Sequence, residues 1–249
     1  MARRSSRRGK SARRCDGANF RRKKQIAMKA ALLFDLDGTI VDTDDDHLKA
    51  FQKVFARHGV PLDRAAYRAG IMGAANHAIG ERFLPHLSHG ERAEILDAKE
   101  ALYRDGIGAL SPVSGLLELF DHGDESGFAR ALVTNAPRAN VERVLASLGI
   151  ADRLPVRVIG PECARPKPDP MPYVVGLERL NAAAGRSVAF EDSLSGMRSA
   201  LGAGLAVIAL TTGLEAGALL EAGASLAVSD FTDPRIRPFI AERARGPMA

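Results

Sequence analysis

Short apolar runs, each closed by polar or turn-forming residues, recur along the chain: Ala30 to Phe34, Ala129 to Val133, Val156 to Ile159, Val188 to Phe190, Ala206 to Leu210 and Ser225 to Val228. Runs this short, without polar alternation, suit strands buried on both faces. Between most of them apolar positions fall at helical spacing and stop at glycine, as in Asn140 to Leu148 before Gly149 and Ser195 to Ala203 before Gly204. Strands alternating with helices predict an α/β fold with a parallel sheet covered on both faces.

One interval breaks the rhythm. About ninety residues separate the first apolar run from the second, and they hold helix-like stretches at Asp44 to His58, Asp63 to Ala69, Ala75 to Phe83 and Gly90 to Tyr103. A crossover between parallel strands needs far fewer residues. Residues 43–112 are therefore expected to form an inserted helical lobe, and residues 28–42 and 113–249 the α/β core. The repeated LEAG at 214–217 and 220–223 is too short to signal a solenoid.

Charge changes the picture at one end. The net charge of +5 hides a tail, residues 1–27, with 11 Lys and Arg against Asp16 alone; the remaining residues carry 24 basic and 29 acidic side chains. The tail lacks an apolar segment suited to a secretory signal, and it reads as a solvated extension or as sequence preceding a start at Met28. A basic arm for nucleic acid is the rival reading; the core, net acidic, is not expected to bind nucleic acid. No apolar run approaches the roughly 18 residues of a membrane span. Two cysteines, Cys15 and Cys163, are too few for a disulfide framework, which fits a cytoplasmic setting. Oligomeric state is left open.

The candidate chemistry sits where the strands end. In a parallel sheet ligands bind beyond the carboxyl ends of the strands. There the chain places Asp35 and Asp37, then Thr134 and Asn135, then Lys167 by a short loop, then Glu191 and Asp192. Asp35 and Asp37 stand two apart and would emerge on one side of an extended segment. With Glu191 and Asp192 they make a hard oxygen cluster of the kind that suits Mg²⁺. A phosphate dianion would then lie between the metal and Lys167, Thr134 and Asn135. In that arrangement Asp35 is the candidate nucleophile and Asp37 the candidate general acid and base.

DLDGT after a strand, VTN at the end of another, KPDP in a loop and FEDS after a further strand resemble, in order, the four motifs of the haloacid dehalogenase superfamily. The resemblance covers about residues 29–232 and is nearest to the branch with a small helical cap, which includes β-phosphoglucomutase and phosphoglycolate phosphatase. It implies a Rossmann-like core, a helical cap inserted after the first motif, Mg²⁺ dependence and phosphoryl transfer through an aspartate. It assigns Asp35 as nucleophile, the Asp37 backbone carbonyl and Asp192 as metal ligands, and Thr134 and Lys167 as phosphate ligands. Asp37 argues against dehalogenation, since true dehalogenases lack the second aspartate. The absence of lysine between Lys53 and Lys99 argues against phosphonatase chemistry. The expected activity is a phosphatase acting on a small phosphorylated metabolite, a sugar phosphate or related compound.

The alternative is a phosphohexomutase. His47, twelve residues after Asp35, and Thr43 match positions of the mutase; VTNA at 133–136 and IMGAAN at 71–76, which lacks a basic residue before its glycine, do not. His47 reads either as a solvated helix residue or as a cap group facing the site. Arg68 and Asn76 are candidates for reaching substrate from the cap, with Lys99 a weaker one. Asp44, Asp45 and Asp46 are expected to open a helix, where carboxylates favour its dipole, rather than to bind metal. Ser193 reads as a helix N-cap.

Overall fold

The structure is a computed structural model, and it describes residues 28–245. The basic tail therefore lies outside the described residues. Six strands, β1 (Ala31–Phe34), β2 (Ala129–Thr134), β3 (Val156–Ile159), β4 (Val188–Glu191), β5 (Ala206–Leu210) and β6 (Leu226–Val228), form one sheet in the order β3-β2-β1-β4-β5-β6. Every pairing is parallel. The order reverses at β1, so β1 lies centrally with β2 and β4 on either side, and the residues after these three strands gather at one edge.

The period of two decides what each face packs against. Leu32 and Phe34 of β1 point to one side, where they meet Phe120 of α5 (Leu116–Glu125), Val141 of α6 (Arg138–Leu148) and Ile240 of α10 (Ile236–Arg245) in one apolar cluster. Phe34 stacks on Phe190 with ring centroids 4.7 Å apart. Ala31 and Leu33 point to the other side, toward Tyr173 of α7 (Met171–Leu180), Met197 of α8 (Leu194–Gly202) and Leu219 of α9 (Ala216–Glu221). Small residues on that second face let the helices lie close to the strands.

The remaining helices are α1 (Asp44–Ala56), α2 (Arg64–Gly70), α3 (Asn76–Phe83) and α4 (His89–Gly106), their ends within three residues of the sequence expectation. They close on an apolar cluster of their own, including Phe51, Phe55, Tyr67, Ile79 and Leu96. The two linkers to this lobe run side by side: the Val113 amide donates to the Ile40 carbonyl at 2.9 Å. Helix α4 begins with a reciprocal cap, in which the Ser88 hydroxyl accepts from the Glu91 amide and the Glu91 carboxylate accepts from the Ser88 amide at 2.8 Å. Ser88→Ala is expected to cost about 1 kcal/mol and lower Tm by roughly 2–4 °C, with turnover unchanged; a thermal melt beside an activity assay checks it.

Candidate active site

The chain after β1 turns within a few residues. The Gly38 amide donates to the Val41 carbonyl at 2.7 Å, and the Thr212 hydroxyl donates to the Gly38 carbonyl at 2.6 Å. Gly38 has φ +77°, and a side chain there would run into the Asp192 carboxylate. Glycine is thus required twice over, by backbone conformation and by the closeness of two strand ends.

Asp35, Glu191 and Asp192 each offer a carboxylate oxygen within 4.8 Å of the others, all three being buried. Lys167 reaches in from the loop after β3, its ammonium donating at 2.6 Å to Asp35 Oδ1 and at 2.6 Å to Glu191 Oε1. The Tyr173 hydroxyl donates at 2.6 Å to the same Glu191 oxygen, and the Thr39 hydroxyl donates to Asp192 at 3.2 Å. Among the described residues one buried lysine faces three buried carboxylates, so the cluster is short of positive charge. Burial and the neighbouring acids raise Asp35 to about 7, although Lys167 pulls it down. Asp192 rises well above the usual carboxylate range for the same first reasons, burial and then repulsion from Asp35 and Glu191. An all-oxygen, electron-rich donor set with this deficit fits a hard divalent cation such as Mg²⁺.

The Asp37 carboxylate, expected in the same oxygen cluster, is not part of it: the side chain turns the other way. Its carboxylate accepts from the Thr43 hydroxyl at 2.6 Å and lies 3.4 Å from His47 Nε2. Burial pushes its pKa up, but His47, Thr43 and Lys99 together outweigh that and hold it below the usual value. His47 stacks on Tyr103 at 3.8 Å, and its Nδ1 lies 2.7 Å from the buried Lys99 ammonium. Lys99 also binds Glu100 at 3.1 and 3.2 Å. Glu100 in turn accepts from Asn76 at 3.0 Å and from Asn140 of α6 at 2.7 Å, and Arg104 donates to Asn140 at 2.8 Å. A polar network thus runs from the strand end through α1 and α4 of the helical lobe and back into the core.

Thr134 is buried beside the cavity, its oxygen accepting from the Ala136 amide at 3.0 Å and its hydroxyl hydrogen left to donate. Asn135 reads from the sequence first as a phosphate donor and otherwise as a residue that shapes the turn, and its hydrogen bonds suit the second role. Its amide hydrogens already go to the Gly73 and Lys167 carbonyls at 3.1 and 3.0 Å, and its oxygen accepts from the Lys167 amide at 3.1 Å. Its side chain holds the lysine loop and the helical lobe together. Arg68 is exposed and lies outside the cavity lining: Tyr67 takes the inward position on α2, and the next residue is turned about 100° away from it. Asn76 and His47 do line the cavity, and Ser193 caps α8 by accepting from the Gly196 amide at 3.1 Å.

Glu100, Asn140 and Tyr173 are not singled out by the sequence, and Asp44 is singled out only as a helix opener. For Glu100 a signal existed: Leu96, Lys99, Glu100 and Tyr103 form the inward stripe of α4, and two charged residues on such a stripe are out of place unless they pair. Asp44 does open α1, as expected, but it also lines the cavity and accepts from the Tyr67 hydroxyl at 3.0 Å.

A sequence profile described as haloacid dehalogenase-like hydrolase matches residues 32–210. Among similar proteins, validoxylamine A 7'-phosphate phosphatase of Streptomyces hygroscopicus subsp. limoneus is 31% identical over 84% of this chain and 97% of its own length. A phosphorylated carbohydrates phosphatase of Thermotoga maritima is 31% identical over 78% of this chain and 91% of its own. Among solved structures, a CbbY variant from Rhodobacter sphaeroides in complex with xylulose-(1,5)bisphosphate superposes with a TM-score of 0.72 at 30% identity, covering 83% of this chain and 96% of that one.

Proposed function

The chain belongs to the haloacid dehalogenase-like hydrolase family, and from that premise we propose that it hydrolyses a small phosphomonoester, a sugar phosphate or related metabolite, through an aspartyl-phosphate on Asp35. The observation that carries this reading is the meeting of Asp35, Lys167 and Thr134 with a cation-deficient carboxylate cluster at one sheet edge. The relatives named as phosphatases of phosphorylated carbohydrate-like compounds support the substrate class. A cytoplasmic location, expected from the cysteine usage, goes with it. No described helix is long and apolar enough to cross a membrane.

In this reading an Asp35 oxygen attacks phosphorus, a P–O bond to aspartate forms, and the ester P–O bond breaks. Lys167 and the Thr134 hydroxyl hold phosphoryl oxygens in place. Asp37 gives its proton to the leaving oxygen and then takes one from the water that cleaves the acyl phosphate. Its lowered pKa suits the second step; in the first, the anionic phosphoryl group beside it favours the protonated form. Asp35, Glu191 and Asp192 would hold Mg²⁺, which when bound neutralises phosphoryl charge.

The metal makes a pH-dependent prediction. Asp35 binds its proton more tightly folded, near 7, than unfolded, near 3.8, so the folded state holds more protons between those values. Without metal, stability from this group falls as pH rises through that window. Mg²⁺ competes with those protons, so it is expected to raise Tm more at pH 8 than at pH 5; an equal shift at both would count against this site. The activity itself is tested by phosphate release from a panel of phosphorylated metabolites with Mg²⁺, run with and without a bisphosphate activator. Release without activator is expected, whereas isomerisation of β-glucose 1-phosphate without net release would establish the mutase instead. Hydrolysis is favoured because, among the described residues, no arginine lines the cavity to hold a second phosphate.

A further inference from the structure

Resting on that phosphatase reading, we propose that the substrate's leaving group carries no second negative charge and that Asp44 enforces this. The cavity above Asp35 encloses about 70 Å³ and, among the described residues, is lined by two lysines and no arginine. Neither lysine is free. Lys167 is held between Asp35 and Glu191, both at 2.6 Å, and Lys99 lies against Glu100 and His47. On the helical-lobe side the carboxyl groups facing this space are Asp44 and Glu100. Glu100 is fully engaged by Lys99, Asn76 and Asn140.

Asp44 is different. The Tyr67 hydroxyl donates to its Oδ1, and among the described residues nothing donates to its Oδ2. An acceptor with a free oxygen beside an apolar wall of Phe51, Ile71, Met72 and Ile79 welcomes a hydroxyl or ammonium group on a carbon skeleton. It repels a carboxylate or a second phosphate, which would find no uncommitted cation among the described lining residues. The substrate class is therefore the monophosphate of a neutral or amine-bearing polyol, with bisphosphates and phosphorylated acids rejected.

The test is competition at pH 7 against Mg²⁺-dependent hydrolysis of an aryl phosphate by the full chain. Glucose 6-phosphate, glucosamine 6-phosphate and 6-phosphogluconate serve as matched competitors. The acid is expected to bind at least about tenfold more weakly than the neutral sugar, and the amine at least as tightly. Asp44→Asn, which keeps an acceptor for Tyr67, should shrink the acid-to-amine ratio at least about threefold. Met72→Lys, which adds a cation to the same wall, should shrink it too and decides the matter if the first variant melts early. Equal binding of all three, competition by none, or a ratio unmoved in a folded Asp44→Asn, or in Met72→Lys where the first variant melts early, overturns the proposal. Failure of the wild type to hydrolyse the aryl phosphate would instead overturn the phosphatase reading, and this proposal with it.

Discussion

Asp35→Asn is expected to reduce phosphate release from every substrate by at least about 10³-fold, because an amide oxygen cannot form the acyl-phosphate bond. The same change is expected to leave the metal-free protein at pH 8 at least as heat-stable as the wild type. Ionised Asp35 is disfavoured where it stands, by burial and by Glu191 and Asp37 nearby, so a neutral isostere relieves repulsion. Lys167 keeps its 2.6 Å bond to Glu191. Loss of turnover together with a retained or higher melting point separates a nucleophile from a merely structural carboxylate. Turnover within tenfold of wild type would remove Asp35 from the chemistry.

Lys167→Ala is expected to have the largest effect on stability. It deletes two 2.6 Å bonds and leaves Asp35, Glu191 and Asp192 buried with no cation among them. Breaking a buried pair from one side costs about 3–5 kcal/mol, a fall of roughly 6–20 °C in a chain of this size. The deficit should shrink between pH 8 and pH 5. Without the lysine the carboxylates hold protons still more tightly in the fold than unfolded, so lower pH restores stability. Paired thermal melts at the two pH values check this, and turnover should be lost at both because phosphate loses its fixed cation.

Much of this architecture is legible along the chain for a simple reason. Fully buried parallel strands must be apolar end to end, so Ala206 to Leu210 could be read directly as β5. The strand ends were legible for a complementary reason: two aspartates directly after an apolar run, in DLDGT, require compensation that only tertiary structure supplies. What escaped was directional. Whether Tyr67 or Arg68 faces inward depends on the phase of a seven-residue helix, too short for its pattern to fix. Asn135 was placed correctly at a strand end, yet its partners come from the 71–76 loop and the lysine loop, far away in sequence. Glu100 meets Asn140 forty positions later, a pairing that local spacing cannot express.

The polar network through Asp37, His47, Lys99, Glu100 and Asn140 crosses between the helical lobe and the α/β core twice, once at His47 and once at Asn140. If the lobe swings away to admit substrate, both crossings open together, and Asp37 loses the neighbours that hold its proton affinity down. The gate and the proton switch are then a single moving part. Such an interlock confines both proton transfers, to the leaving oxygen and then from the hydrolytic water, to the closed site.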